Sequence, residues 1–235
     1  MLVQVINAFI VLLAISLEGF GINPPTQQSQ CYGTIAQGSI KNAVQLPTKG
    51  KNFIIYHVAG DFLGRNYVHS KVYAVILETF QKLYQQHPLL KFKYAETGLK
   101  NGGEFKPHKT HQNGLSVDFM VPVIDKTGNS VYFATDFSNK FGYGVEFDND
   151  GKYKNYRIDF EAMTQHLVLL NKTAHAHGIA IRRIIFDQAL QKKLFQTAAG
   201  TYLRKNLKFM PHKAWVRHDE HYHIDFEVPC KVAKS

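Results

Sequence analysis

The residues HDEHYHIDF, 218–226, constrain the fold of this chain more than any other stretch. Continued to Val228, they alternate without a break over eight positions. His221, His223, Asp225 and Glu227 fall to one face of a strand, and Tyr222, Ile224, Phe226 and Val228 to the other. That pattern predicts a half-buried strand whose apolar face builds core. Its polar face presents two imidazoles about 7 Å apart along the backbone. Such spacing suits a site, although a histidine-rich surface edge would carry the same letters.

The remaining patterns mix helix and strand. Apolar residues at 72, 76, 80 and 83 predict a helix over 68–87, stopped by Pro88. A second helix is expected over 159–178, with 163, 167, 170 and 174 on one face and Gly178 at its end. QLPTKGKNFIIYHVA (45–59) reads as a turn feeding a strand, KFKYAETG (91–98), LSVDFMVPV (115–123) and IAIRRIIF (179–186) as strands, and Asp187 as the N-cap of a helix beyond them. No strict βαβ alternation appears, so the expected class is α+β: a largely antiparallel central sheet with flanking helices. At 235 residues, 45% hydrophobic and 13% aromatic, the chain can bury one sizeable core and is not a disordered polymer.

Formal charge is +10, from 28 basic against 18 acidic residues, which favours an anionic partner. The basic residues are scattered, as at Lys91–Lys93 and Arg182–Arg183, and no nucleic-acid motif is present. No nucleic-acid partner is therefore expected. The start, MLVQVINAFIVLLAISLEGF, is apolar from Val5 to Leu17 apart from Asn7 and Ser16. It falls short of the ~20 residues that span a bilayer and lies where a secretory signal would, although it lacks a basic start. The expected organisation is a signal peptide or N-terminal apolar segment at 1–21, a linker at 22–30 and a single domain at 31–235. The protein would then be periplasmic or secreted, with no stable membrane insertion after signal removal. In an exported chain Cys31 and Cys230 invite a disulfide; in a cytosolic one they would be two free thiols.

Most of the 12 histidines need no function. His57, His69, His87 and His166 stand alone, as surface or satisfied core histidines do. His175 and His177 match H-x-H but fall at a helix end, where i and i+2 diverge by about 200° and the helix dipole favours a histidine. PHKTHQNGLSVDF, 107–119, is more informative. His108 and His111 sit in a Gly-punctuated loop, and Asp118 follows on the polar face of a strand. If that strand pairs with the 221–228 strand, His111, Asp118 and either His221 or His223 converge. Two nitrogens, one oxygen and an open fourth position are the composition of a catalytic zinc site. The plainer alternative is an ion-paired Asp118 beside solvated loop histidines.

His111-x6-Asp118 followed by His221-x-His223 resembles the signature of the LAS metallopeptidases. The segments SQCYGTIAQGSIKNAVQLPTKG, GGEFKPHKTHQNGLSVD and AWVRHDEHYHIDF resemble, more narrowly, the penicillin-insensitive murein endopeptidases over most of residues 29–230. The resemblance implies an LAS-like fold and zinc held by His111, Asp118 and His223. It implies that His221 acts on the metal-bound water or steadies the developing oxyanion, and that His218 and His108 serve proton transfer or oxyanion stabilisation. With no HExxH glutamate in the sequence, His221 is the expected base. The implied reaction is hydrolysis of D-alanyl–diaminopimelate crosslinks, with crosslinked peptidoglycan peptides as partner. A D,D-carboxypeptidase of the same group and a non-catalytic zinc-containing peptidoglycan-binding protein are the alternatives. Three residues depart from the family pattern: Thr110 replaces a serine, Ser116 an acid, and Asp225 an arginine. The last is expected to change how a substrate carboxylate is held.

Ligand histidines must be neutral to bind metal, so activity is expected to fail below about pH 6. A pH–rate profile flat down to ~pH 4 would overturn this.

Overall fold

A computed structural model describes residues 27–233 except 213 and 215. The 1–21 segment lies outside the described residues, as does the linker up to residue 26. The strands of the central sheet are numbered β1 (Phe53–Ile55), β2 (Phe92–Tyr94), β3 (Ser116–Met120), β4 (Ala180–Ile185) and β5 (His221–Glu227). Their spatial order is β4-β5-β3-β2-β1, and only β1 and β2 run parallel. Helices lie between and beside these strands, so the fold is α+β with a largely antiparallel sheet.

The two long helices form where the apolar spacing puts them. The first short helix is α1 (Val58–Phe62), and α2 follows at Ser70–Gln86. α2 buries Val72, Ile76, Phe80 and Leu83, and the His69 imidazole accepts from the Lys71 amide at its N-terminus. α3 (Phe160–Ala176) is capped by Asp159 and buries Met163, Leu167, Leu170 and Ala174. Gly178 follows with φ +66°, a left-handed conformation in which a side chain would be strained. α2 and α3 pack together over the apolar face of the sheet. Phe80 meets Phe119 and His166 there, and His166 Nδ1 lies 2.8 Å from the Tyr222 hydroxyl. Burial pushes the His166 imidazole down to about 3, so it stays neutral and acts as a satisfied core residue. α4 (Gln188–Leu194), capped by Asp187 as expected, and α5 (Gly200–Asn206) pack against α3.

Two sequence expectations change. β5 is not half-buried: Tyr222, Ile224 and Phe226 are inaccessible, but so are Asp225 and nearly all of His221 and His223. Alternation reports which residues are polar, not whether another segment covers them, and the loop carrying His111 lies across this face. LSVDFMVPV is likewise not one strand. β3 ends at Met120, before Pro122, which has no N–H to give to a ladder. Val123–Ile124 then pairs with Ser130–Val131 and Tyr156–Ile158 in a separate four-stranded sheet. The described end of the expected linker, residues 27–30, is joined to the domain. Gln30 opens a hairpin of Gln30–Gly33 with Gly38–Lys41, and the Ser29 amide donates to Ser70 Oγ at the start of α2.

Cys31 and Cys230 form a disulfide. Beside it the Lys231 amide donates to the Cys31 carbonyl, so the two ends of the domain are joined covalently and by backbone.

Candidate metal centre

The pairing of β3 with β5 builds the site. His223 stands directly opposite Asp118, and Asp225 opposite Ser116. Opposed residues share a face of the sheet, and His223 Nδ1 lies 2.8 Å from Asp118 Oδ1. His111 arrives from the loop at φ +69°, a strained conformation for a non-glycine residue of the kind found at functional sites. Its Nε2 is 3.1 Å from His223 Nδ1 and 3.4 Å from Asp118 Oδ1. Donors bound to a tetrahedral zinc at ~2.0–2.1 Å stand roughly 3.4 Å apart, so these three atoms form a triangle of fitting size. The outer ring nitrogens are committed elsewhere. His111 Nδ1–H donates to the Thr97 carbonyl (2.9 Å) and His223 Nε2–H to Asp225 Oδ1 (2.7 Å), which leaves the inner nitrogens as donors to a metal.

The electrostatics agree with a cation site. Burial opposes ionisation of Asp118, but the surrounding histidines, His111 and His221 first, hold its carboxyl well below the usual range. Burial pushes His111 down, which favours the neutral form a metal needs. At His223 burial works the same way but is outweighed by Asp225 and Asp118, and the imidazole is pushed up to about 10. A metal ion would therefore displace a proton from its Nδ1.

The other sequence-predicted residues surround this triangle. His108 Nε2 pairs with Glu96 Oε2 at 2.6 Å, and its Nδ1 lies 3.9 Å from Asp118 Oδ2. The donor atoms of His108, His111 and Asp118 fall within 4.8 Å of one another, a second trio able to hold a metal ion. Both trios share His111 and Asp118; His223 is nearer to the pair, while Glu96 draws His108 away. His221 Nδ1–H donates to Glu220 Oε1 (2.8 Å), and its Nε2 faces Asp118 Oδ2 at 3.8 Å. Burial disfavours charge on His221, but Glu220 and Asp118 raise its pKa. His218 donates from Nδ1 to the Val216 carbonyl, and its ring lies 4.6 Å from that of His221. Burial, with the charge of His221, pushes His218 down to about 4. His175 and His177 take no part: His177 pairs with Glu78 between the two long helices.

Several residues here carry no sequence motif. The Tyr143 hydroxyl donates to Asp118 Oδ2 at 3.0 Å, and its ring lies 4.9 Å from His221. Glu96, buried, accepts from Arg65, from the Tyr56 hydroxyl and from His108. The one available signal was an acid at the end of the alternating KFKYAETG stretch. Asp225 proves closed to any substrate. Its Oδ1 accepts from Ser116 Oγ and His223 Nε2 (both 2.7 Å), and its Oδ2 from Arg183 Nε (3.0 Å) and Nη2 (2.5 Å). Two of the family departures, Ser116 and Asp225, are thus cross-strand partners that orient His223.

The site opens into a cavity of about 930 Å³ lined by His108, His221 and His223, with Lys106, Lys140 and Arg217 among its walls. This volume suits an extended peptide, and the basic side chains favour an acidic one. The family described as penicillin-insensitive murein endopeptidase matches residues 31–234. No curated protein matches the chain.

Proposed function

The chain belongs to the penicillin-insensitive murein endopeptidases and is a peptidase acting on murein; on that premise we propose that it is a zinc enzyme cleaving the D-alanyl–diaminopimelate crosslink. The observation that carries the reading is the donor triangle of His111, Asp118 and His223 beside the cavity, with edges of 2.8, 3.1 and 3.4 Å. Those three residues would hold the ion. Zinc bound there would polarise the scissile carbonyl and bring the pKa of a coordinated water to about 7.

The chain's own residues move the protons. His221 donates its Nδ1–H to Glu220, which fixes the tautomer and leaves the Nε2 lone pair facing the site. That nitrogen takes the proton of the attacking water. His218, anchored through Nδ1, and His108, anchored through Nε2, are assigned to proton transfer or to stabilising the oxyanion. Tyr143 and Glu96 hold Asp118 and His108 in place.

The disulfide and a murein substrate both favour a place outside the cytoplasm, periplasmic or secreted, with residues 1–21 as export signal and 31–235 as one domain. No helix among the described residues is long and apolar enough to cross a membrane.

Mass spectrometry of purified crosslinked muropeptide dimers tests the reaction. Dimers are expected to become monomers, chelator to stop this, and His221→Ala to lower the rate about 10²–10⁴-fold with zinc retained. Intact dimers beside zinc-loaded protein would leave a binding protein instead.

A further inference from the structure

Arg183 commits only one edge of its guanidinium to Asp225. Nε and Nη2 both reach Asp225 Oδ2, whereas an arginine carries five N–H donors. Nη1 and the outer proton of Nη2 form the end of the fork, the geometry that grips a carboxylate through two parallel bonds. Neither has another hydrogen-bond partner among the described residues. The side chain is 37% exposed and lines the cavity together with Ile185, Met210 and His223.

A bulge puts Arg183 there. The register of β4 on β5 shifts between Ile181 and Arg183, which makes the exposed Arg182 the extra residue. Arg183 then falls opposite Asp225 and Ile185 opposite His223, on the face that carries the metal centre. Were the register of Ile181 continued without the bulge, Arg182 would stand opposite Asp225 and Arg183 would turn to the core face beside Ile224. The guanidinium is also held in advance: the carboxylate that anchors it is fully buried and itself orients His223. One imidazole and one carboxylate set the separation between this cation and the proposed ligand atoms, so little side-chain freedom is lost when an anion binds.

We propose that Arg183 is a specificity-determining residue that binds a free carboxylate of the murein stem peptide flanking the scissile bond. The proposal rests on reading the site as that of a murein peptidase. Two carboxylates share this chemistry, that of the diaminopimelate residue and that of the terminal D-alanine on the stem supplying it, since the other D-alanine carboxyl forms the scissile bond. Amidation of the one recognised should remove the effect.

Calorimetric titration of the zinc-loaded full chain with uncrosslinked stem peptides tests this, each peptide carrying an acid or an amide at one of the two positions. At one position the acid is expected to bind about 10–100-fold tighter than the amide, the size of a charge-assisted hydrogen-bonded pair. Arg183→Gln should bring the two within about twofold, and Arg183→Lys, which offers a point charge without the fork, should retain an intermediate preference. Equal binding of acid and amide by the unaltered protein, or a full preference surviving in Arg183→Gln, would overturn the proposal. Zinc content and melting temperature are read for each variant. Should Arg183→Gln lose its zinc, the lysine variant decides: an undiminished preference there overturns the fork. Dimer hydrolysis is followed separately. An acid preference lost in Arg183→Gln, beside dimers left intact, would support the anion site and overturn only the assignment of the bond cut.

Discussion

With Asp118 replaced by asparagine, the protein is expected to lose bound zinc and at least ~10³-fold of its murein hydrolysis, the several kcal/mol that a Lewis acid supplies. The fold should persist. Asparagine has nearly the volume of aspartate, and the neighbours Val117 and Phe119 on the opposite face carry the core packing of β3. Asp118 is the one anion in the triangle, and its two oxygens divide the work. Oδ1 faces His111 and His223, while Oδ2 meets Tyr143 at 3.0 Å, with His221 and His108 beyond. An amide can keep the hydrogen bond from Tyr143 but offers a metal no charge. Metal analysis, a chelator-free rate assay and a thermal melt check the three parts. Full zinc occupancy in Asp118→Asn with activity within tenfold of the unaltered protein would move the metal to other acids, Glu96 beside His108 first among them.

Removing the disulfide is expected to cost about 2–5 kcal/mol of stability in a Cys31→Ser, Cys230→Ser double variant. The bond joins residues 199 positions apart, nearly the whole described chain, and closing so long a loop removes much freedom from the unfolded state. For a domain of this size the melting temperature should fall by roughly 5–15 °C. The metal centre should survive at low temperature, because its donors come from β3, β5 and the loop between β2 and β3, none of which contains a cysteine. A melt unchanged by the double substitution, or by reductant on the unaltered protein, would show that the packing of the hairpin alone holds the ends together.

How much could be read from the sequence depended on range. Periodicity is local, so α2, α3 and the alternation of β5 were legible to within a few residues, as was the Asp187 cap. Convergence of the site was legible only as a condition: if two strands paired, His111, Asp118 and one residue of the H-x-H would meet. The observed register meets that condition by setting His223 opposite Asp118. Tyr143 was not legible, because its segment has no local pattern, and Glu96 showed only as an acid at the end of an alternating stretch, with nothing to say where it would point. The setting of Asp225 was hidden for a related reason. Its departure from the family pattern made sense only beside Ser116 and Arg183, and no spacing in one dimension sets those three together. The closed polar face of β5 escaped notice because a hydrophobic pattern cannot reveal a covering loop.

The bulge in β4 has a consequence for how such an enzyme could diversify. β5 pairs with β3 in continuous register, so an insertion in either would separate His223 from Asp118 and abolish the reaction. β4 is the outermost strand of the sheet and contributes none of the proposed ligands. A residue gained or lost there swaps which side chain looks into the cavity while the chemistry beside it stays whole. The scaffold thus separates a part that tolerates no drift from a part that can be retuned by one codon, and new wall chemistries could be met by editing the margin of the sheet alone.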